Sequence, residues 1–267
     1  MLIRSLVEAD FDAINRFAYE RERENIFLIE SLRRQNAFTE NLYLGAFDEE
    51  TLIAVATYFG RFNSLIVHGD MPSIINKLVD RFVEEGKELS AILDLEKYAS
   101  YTMERLKFHG IAPTRVLEET FYEVTNETFK PVPSSRTSGA TKEDIDVLIR
   151  SARLLDGKDP DAPILESERR MITPEYVTVL RDEKGSIIAH AGIHAYSEHF
   201  AIVGGVMTLP THRGKGLAKE TVSAVSTHWL LRGKSIVLFC SNTNEPAKHI
   251  YTSMGFRPLE GFLIAFY

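Results

Sequence analysis

The sequence Arg213-Gly214-Lys215-Gly216-Leu217-Ala218 joins an apolar run, Phe200 to Leu209, to an amphipathic stretch that reaches Leu231. The apolar run predicts a β-strand and the amphipathic stretch a helix, so these six residues form a strand-to-helix turn. N–H groups at a helix start lack intrahelical partners, the helix dipole favours an anion there, and glycine lets a ligand approach the backbone. The turn therefore predicts a phosphate site, against the alternative of an ordinary connector.

Two common nucleotide-binding motifs do not fit this turn. A P-loop requires Ser or Thr after its glycine and lysine, whereas Lys215 is followed by Gly216. A dinucleotide-binding fingerprint requires three spaced glycines and an acid about 20 residues further on, and this stretch lacks that series. Both readings are excluded.

A second motif follows the next apolar run, Ser235 to Cys240, which predicts a buried strand. It reads Asn244-Glu245-Pro246-Ala247-Lys248-His249-Ile250-Tyr251-Thr252-Ser253-Met254-Gly255-Phe256 and begins with a predicted helix. Together the two motifs resemble the GCN5-related N-acetyltransferase (GNAT) family. The family's cofactor motif has Arg or Gln, two residues, Gly, one residue, and Gly or Ala, and Arg213 to Ala218 matches every specified position.

The resemblance covers residues 141–267 and implies an α/β fold with a GNAT-like twisted mixed β-sheet flanked by helices. It implies an N-acyltransferase that moves an acetyl or short acyl group from acetyl-CoA, or a related acyl-CoA, directly to a primary amine. The acceptor is a small molecule or a protein amine, and direct transfer needs no metal. The alternatives are a non-catalytic acyl-CoA-binding sensor or interaction protein, and a protein of this fold that binds neither ligand.

The resemblance also implies which residues bind the cofactor. Main-chain N–H groups of Arg213, Gly214, Lys215, Gly216, Leu217 and Ala218 would hold the coenzyme A pyrophosphate. The strand before the turn would diverge from its neighbour, so that the backbone of Val206, Met207 and Thr208 pairs with the acyl carbonyl and the pantetheine arm. A backbone donor at Val206 would serve as an oxyanion hole.

Tyr251 matches the family's frequent general acid, which protonates the departing thiolate; the alternative is packing of one helix face. Asn244 is predicted to cap this helix or to contact the coenzyme. The base is open, because Ile202 stands where some relatives carry a catalytic Glu. Glu198 is the candidate for the general base, and His194, Tyr196 and His199 are nearby alternatives.

Other reactive side chains have simpler interpretations. His190, His194 and His199 lack accompanying carboxylate or cysteine spacing, so we expect no metal site. Cys240 lies in an apolar strand and is expected to be inert.

Residues 125–140 are rich in Pro and Ser and interrupt the apolar periodicity, which divides the chain. We predict a first domain at 1–126, a linker at 127–140 and a catalytic GNAT domain at 141–267. The first half repeats the order of elements but has His68-Gly69-Asp70-Met71-Pro72 in place of the glycine turn. It is expected to be a degenerate tandem copy with a substrate-related or structural role.

Composition limits the remaining functional classes. The chain has 267 residues and a formal net charge of -7, which argues against broad binding of nucleic acid. A single cysteine fits a reducing compartment, and no apolar run approaches the roughly 20 residues that span a bilayer. We therefore expect a cytoplasmic protein without membrane or nucleic-acid partners.

Overall fold

The computed structural model describes residues 1–155 and 157–267. The described strands, in chain order, are β1 (Leu2–Ser5), β2 (Asn41–Asp48), β3 (Thr51–Phe59), β4 (Ser64–Gly69), β5 (Ala91–Leu95), β6 (Arg115–Val124), β7 (Thr137–Gly139), β8 (Val177–Arg181), β9 (Ile187–Tyr196), β10 (Phe200–Thr208), β11 (Ser235–Ser241) and β12 (Arg257–Phe266). The α-helices are α1 (Phe11–Glu20), α2 (Ile26–Leu32), α3 (Ala37–Glu40), α4 (Pro72–Glu84), α5 (Glu96–Phe108), α6 (Ile145–Leu155), α7 (Glu166–Arg169), α8 (Leu217–Leu230) and α9 (Glu245–Ser253).

The chain divides into two compact units. Unit 1 contains Met1–Tyr122, Phe239–Asn244 and Pro258–Tyr267, and unit 2 contains Glu123–Leu238 and Glu245–Arg257. The predicted division treated 141–267 as one continuous domain, whereas two of its segments lie in unit 1. The reason is a long-range pairing, because Phe262–Phe266 of β12 runs antiparallel to Ala91–Leu95 of β5.

Unit 1 is a mixed sheet with helices packed on it. Its strands follow the order β1-β2-β3-β4-β5-β12-β6. Ile14 and Ala18 of α1 are fully buried in a cluster with Tyr43, Phe47 and other apolar residues of β2 and β3. The parallel register of β4 and β5 contains Ser64–Ala91 and Leu65–Ile92. Val67 and His68 therefore lie beyond the last pair of this register.

In unit 2 the strands follow the order β11-β10-β9-β8-β7, with both parallel and antiparallel pairs. The pairs β7–β8, β8–β9 and β9–β10 are antiparallel, and β10–β11 is parallel. Helix α8 covers one face, where Leu217 packs against Leu180 and Ala189. Helix α6 covers the other face, where Leu148 packs against Val179.

The predicted linker, residues 127–140, is bound along unit 2. The N–H of Lys130 donates to the carbonyl of Met254 at 2.9 Å, and the N–H of Val132 donates to the Ser223 hydroxyl of α8 at 2.7 Å. The Ser134 hydroxyl donates to Glu220 of α8 at 2.6 Å, and the segment ends in β7. The Pro- and Ser-rich composition marked irregular backbone correctly but did not reveal these contacts.

Two local predictions, a hairpin and a helix, are confirmed. Residues 182–185 stand between two strand-like stretches, a pattern that predicts a hairpin, and they form the β8–β9 turn, with Gly185 at φ 84°. The helix predicted from Gly216 to Leu231 is α8. Among the described residues, no helix is both long enough and apolar enough to cross a bilayer.

Candidate active site

The middle of β10 carries an irregularity next to β9. Gly204 lies opposite Gly192, the next paired residue of β10 is Met207 opposite His190, and the register shifts between them. Gly205 takes up the change at φ 57°, a left-handed conformation that glycine adopts without strain. A Cβ on Gly204 would overlap the imidazole of His194. The bulge is therefore built from two glycines, one with a left-handed backbone and one with a ring packed over it.

On its other side, β10 leaves β11 after a short pairing. The parallel register joins Phe200, Ala201 and Ile202 to Ser235, Ile236 and Val237. Val206, Met207 and Thr208 follow the last of these pairs, and Val206 and Thr208 are partly exposed. The bulge leaves Gly205 and Val206 outside the β9 register, and Val206, Met207 and Thr208 all lie beyond the end of the β11 register, although Met207 and Thr208 still pair with β9. An extended ligand can form strand-like hydrogen bonds to such backbone.

The glycine turn follows directly. Gly214 and Gly216 both have φ 74°, and Gly216 is the N-cap of α8. A Cβ at either glycine would meet nothing within 4 Å. Arg213, Gly214, Lys215 and Gly216 are exposed, so the N-terminus of α8 is open to an anion.

Two leucines anchor this exposed turn to the core. Leu209 before it and Leu217 after it pack in one cluster with Leu180, Ile188 and Ala189 of β8 and β9. The Arg213 Nε donates to the Thr208 carbonyl at 3.3 Å. The turn is thus fixed at both ends, and the space around its two glycines is open. Such a turn suits a preformed site for a pyrophosphate.

Tyr251 lies in α9 and is 7% exposed. Its ring packs 5.8 Å from that of Phe256. Gly255 makes the tight turn between them at φ 92°, where a Cβ would overlap the Thr128 carbonyl oxygen. The packing alternative for Tyr251 is thus realised, and its role as an acid stays a prediction.

His190 is a site residue that the sequence motifs did not identify. It is 5% exposed, and its Nε2 has no hydrogen-bond partner among the described residues. Burial lowers the pKa of His190 to about 4, although a hydrogen bond to the Gly205 backbone raises it; His194 nearby lowers it further. His190 is therefore a neutral imidazole attached to the β10 bulge.

The other predicted residues lie elsewhere. Glu198 is exposed in the β9–β10 turn, and its carbonyl accepts from the Lys234 Nζ at 2.8 Å. That turn is about 25 Å from Val206 along β10 at ~3.3 Å per residue, so Glu198 is remote from the bulge. Asn244 is exposed in unit 1, where its N–H donates to Ser241 at 3.0 Å; its coenzyme role stays a prediction.

Two further expectations concern His199 and Cys240. His199 is exposed beside Glu198, and Cys240 is buried, with its Sγ donating to the Ser241 carbonyl at 3.7 Å. In the described ranges, no group of three or more His, Cys, Asp or Glu side chains is arranged to hold a metal ion.

Comparisons with known proteins agree with this geometry. The FR47-like protein family model matches residues 180–262, which include the bulge, the glycine turn and Tyr251. A Drosophila protein of known structure superposes with a TM-score of 0.70 at 13% identity, over 99% of this chain and 98% of its own. A GCN5-related N-acetyltransferase from Sphaerobacter thermophilus gives 0.62 at 16% identity, over 99% and 94%. The chain has a GNAT-superfamily fold.

A tandem GNAT protein from the clavulanic acid biosynthesis pathway superposes with a TM-score of 0.63 at 10% identity, over 99% of this chain and 97% of its own. The chain spans 65% of a GNAT-family chain from Novosphingobium aromaticivorans, at 22% identity over 57% of this one and a TM-score of 0.47. The search of curated proteins found no match. The predicted α/β fold with a GNAT-like mixed sheet is confirmed.

Unit 1 differs from unit 2 beyond the last pair of its parallel register. Beyond the last β4–β5 pair, His68 Nε2 lies 2.8 Å from Asp94 Oδ1, and His68 Nδ1 lies 2.6 Å from Asn25 Oδ1. The Val67 N–H donates to Asp94 Oδ2 at 3.3 Å. Buried side chains of unit 1 therefore occupy the position that β10 of unit 2 leaves open.

Proposed function

We propose that this protein is an N-acyltransferase that moves an acetyl or short acyl group from acyl-CoA to a primary amine in the cytoplasm. The observation that carries the proposal is the exposed glycine turn at the N-terminus of α8, continuous with the irregular end of β10. The GNAT-superfamily fold supports acyl transfer in general. The catalytic unit would be unit 2.

The coenzyme would bind along two adjoining surfaces. Main-chain N–H groups from Gly214 to Ala218 would hold the pyrophosphate, because a helix N-terminus attracts anions and neither glycine blocks the approach. Arg213 and Lys215 would add positive charge. The pantetheine arm would lie as an extra strand along Val206, Met207 and Thr208, where the parallel register has ended.

Transfer would proceed by direct attack of the neutral amine on the acyl carbon. A C–N bond forms, the C–S bond breaks, and the bonding electron pair leaves with sulfur. The Val206 N–H would stabilise the oxyanion that develops meanwhile, a contribution of roughly 3 kcal/mol for one such donor. Tyr251 would protonate the departing thiolate, and the amine would release its proton to solvent.

Unit 1 would be a degenerate copy that takes no acyl-CoA. The buried contacts of His68 and Asp94 fill its strand opening, and Asp94 accepts the Val67 N–H that an extended ligand would need. Its loop after β4 has Asp70 and Met71 before Pro72 and α4, without the two left-handed glycines of unit 2.

An amine-panel assay tests the enzyme proposal. Purified protein is incubated with acetyl-CoA and amino acids, polyamines, aminoglycosides or lysine peptides, and released thiol is measured. Gly216→Glu places a carboxylate in the pyrophosphate site, and Gly233→Glu is the matched control. Both glycines have positive φ, 74° and 79°, and neither has a neighbour within 4 Å of an added Cβ. Turnover that Gly216→Glu abolishes and Gly233→Glu retains would support acyl transfer.

The alternative is an acyl-CoA-binding sensor. It is motivated by Ile202, which is buried and stands at a position of the catalytic Glu in some relatives, and by the remote position of Glu198. Binding of acetyl-CoA without turnover of any amine would favour this alternative, and absence of binding would exclude both functions.

A further inference from the structure

His190 lies at a defined place in unit 2. On β9 it stands opposite Val179 of β8 and Met207 of β10. Directly opposed residues of neighbouring strands share a face of the sheet, and Val179 packs against Leu148 of α6. His190 therefore points to the α6 face, where Val179 and Met207 flank it and exclude water.

The hydrogen bond of His190 to Gly205 and the unpaired Nε2 together favour one tautomer. The hydrogen bond to the Gly205 backbone raises the pKa of His190, so it stabilises the protonated ring. A protonated ring nitrogen donates, and the acceptor is therefore the Gly205 carbonyl. Since Nε2 has no partner in the described part of the chain, the donor is Nδ1. A neutral ring has one N–H, and here that N–H is committed to Gly205. A buried ring nitrogen without a hydrogen bond is destabilising, and an apolar side chain at a purely structural position would avoid that cost.

The acceptor belongs to the peptide unit that matters for the proposed chemistry. The Gly205 carbonyl and the Val206 N–H are joined by one planar trans peptide bond, so they point in opposite directions. A bond that holds the carbonyl toward the His190 ring therefore directs the Val206 N–H away from it. Gly205 and Val206 have no Cα partners in the β9–β10 register, so the ladder does not fix this peptide plane.

We propose that His190 is a positioning residue whose Nδ1–H holds the Gly205 carbonyl and thereby aims the Val206 N–H at the acyl oxygen. This role rests on the proposed acyl transfer. A residue of β9 thereby takes part in the oxyanion site. This residue lies outside the cofactor motifs on β10 and α8. His190 does not act as the base, because its neutral ring keeps its one proton on Gly205.

Replacement of His190 by Asn and by Leu separates positioning from packing. Asn places an amide N–H close to the position of Nδ1, whereas Leu has similar volume and no donor. We expect His190→Leu to lower kcat by about 100-fold, the scale of losing one oxyanion donor, with the Kd for acetyl-CoA changed less than about threefold. His190→Asn is expected to stay within about fivefold of the wild-type kcat. Thermal unfolding of both variants checks that they are folded.

Equal kcat values for the two variants, or a loss confined to stability, would overturn the positioning role. A readout that does not depend on turnover is the ¹H–¹⁵N spectrum of the His190 ring at pH 7. We expect a protonated Nδ1 and an unprotonated Nε2, and the opposite tautomer would refute the bond. No turnover in the wild-type protein would overturn acyl transfer itself, whereas full turnover in His190→Leu would overturn only this inference.

Discussion

His68 and Asp94 form a buried pair, with Nε2 and Oδ1 2.8 Å apart, that connects β4 to β5 beyond their last register pair. The two residues are 4% and 3% exposed. The second ring nitrogen of His68 faces Asn25 Oδ1, and Asp94 also accepts the Leu95 N–H at 2.8 Å. In unit 1, buried side chains thus lie beyond the last β4–β5 pair. In unit 2, the segment beyond the last β10–β11 pair contains the bulge at Gly205 and leads into the glycine turn.

We expect His68→Leu to lower the free energy of unfolding by about 3–5 kcal/mol, because it leaves the Asp94 carboxylate buried without its partner. His68→Leu/Asp94→Leu removes both groups and should recover part of this loss. Urea unfolding measures both. A double variant that is less stable than the single one would contradict a pairing role.

One acyl-CoA should bind per chain, because the exposed glycine turn lies in unit 2, whereas the His68–Asp94 pair lies beyond the parallel register of unit 1. Calorimetry with acetyl-CoA should give a stoichiometry near one, and Gly216→Glu should remove all detectable binding while Gly233→Glu keeps it. Two equivalents, or binding that survives in folded Gly216→Glu, would show that unit 1 also takes the ligand.

Tyr251→Phe should lower kcat by about 100-fold and leave the Kd for acetyl-CoA nearly unchanged, since it removes only the hydroxyl that would protonate the thiolate. The matched control is Tyr101→Phe, because the Tyr101 side chain is exposed on α5 of unit 1. Unchanged kcat in Tyr251→Phe would leave the residue with its packing role alone.

Gly255→Ala should destabilise unit 2 by at least about 2 kcal/mol, because its Cβ would overlap the Thr128 carbonyl and its φ of 92° disfavours alanine. Gly139→Ala is the control, since its Cβ would meet nothing within 4 Å. Thermal unfolding compares them, and equal midpoints would refute the tight turn beside Tyr251.

Stability should depend on pH through His190. Its pKa falls from 6.5 to about 4 on burial, so the unfolded chain takes up this proton first as the pH falls. The free energy of unfolding should be highest above pH 6.5 and decrease between pH 6.5 and 4. His190→Asn should show a shallower decrease in urea unfolding at pH 7, 6 and 5, and parallel curves would contradict a neutral buried ring.

Local sequence patterns predicted the elements that depend on neighbouring residues. The hairpin at Gly185, the glycine turn and α8 follow from the backbone freedom of glycine and from helix periodicity. The domain boundaries were harder, because the residues that complete unit 1 are far apart in the chain. Nothing in the pattern of Phe262–Phe266 indicates β5 as its partner.

The sequence by itself determined that a strand, a glycine turn and a helix meet at Arg213 to Ala218, since each depends on residues within a few positions of one another. Only the tertiary structure decided that His190 bonds Gly205 and that His68 meets Asp94. Each of these relations joins two different strands. They depend on register and strand order, which long-range packing fixes and local periodicity does not encode.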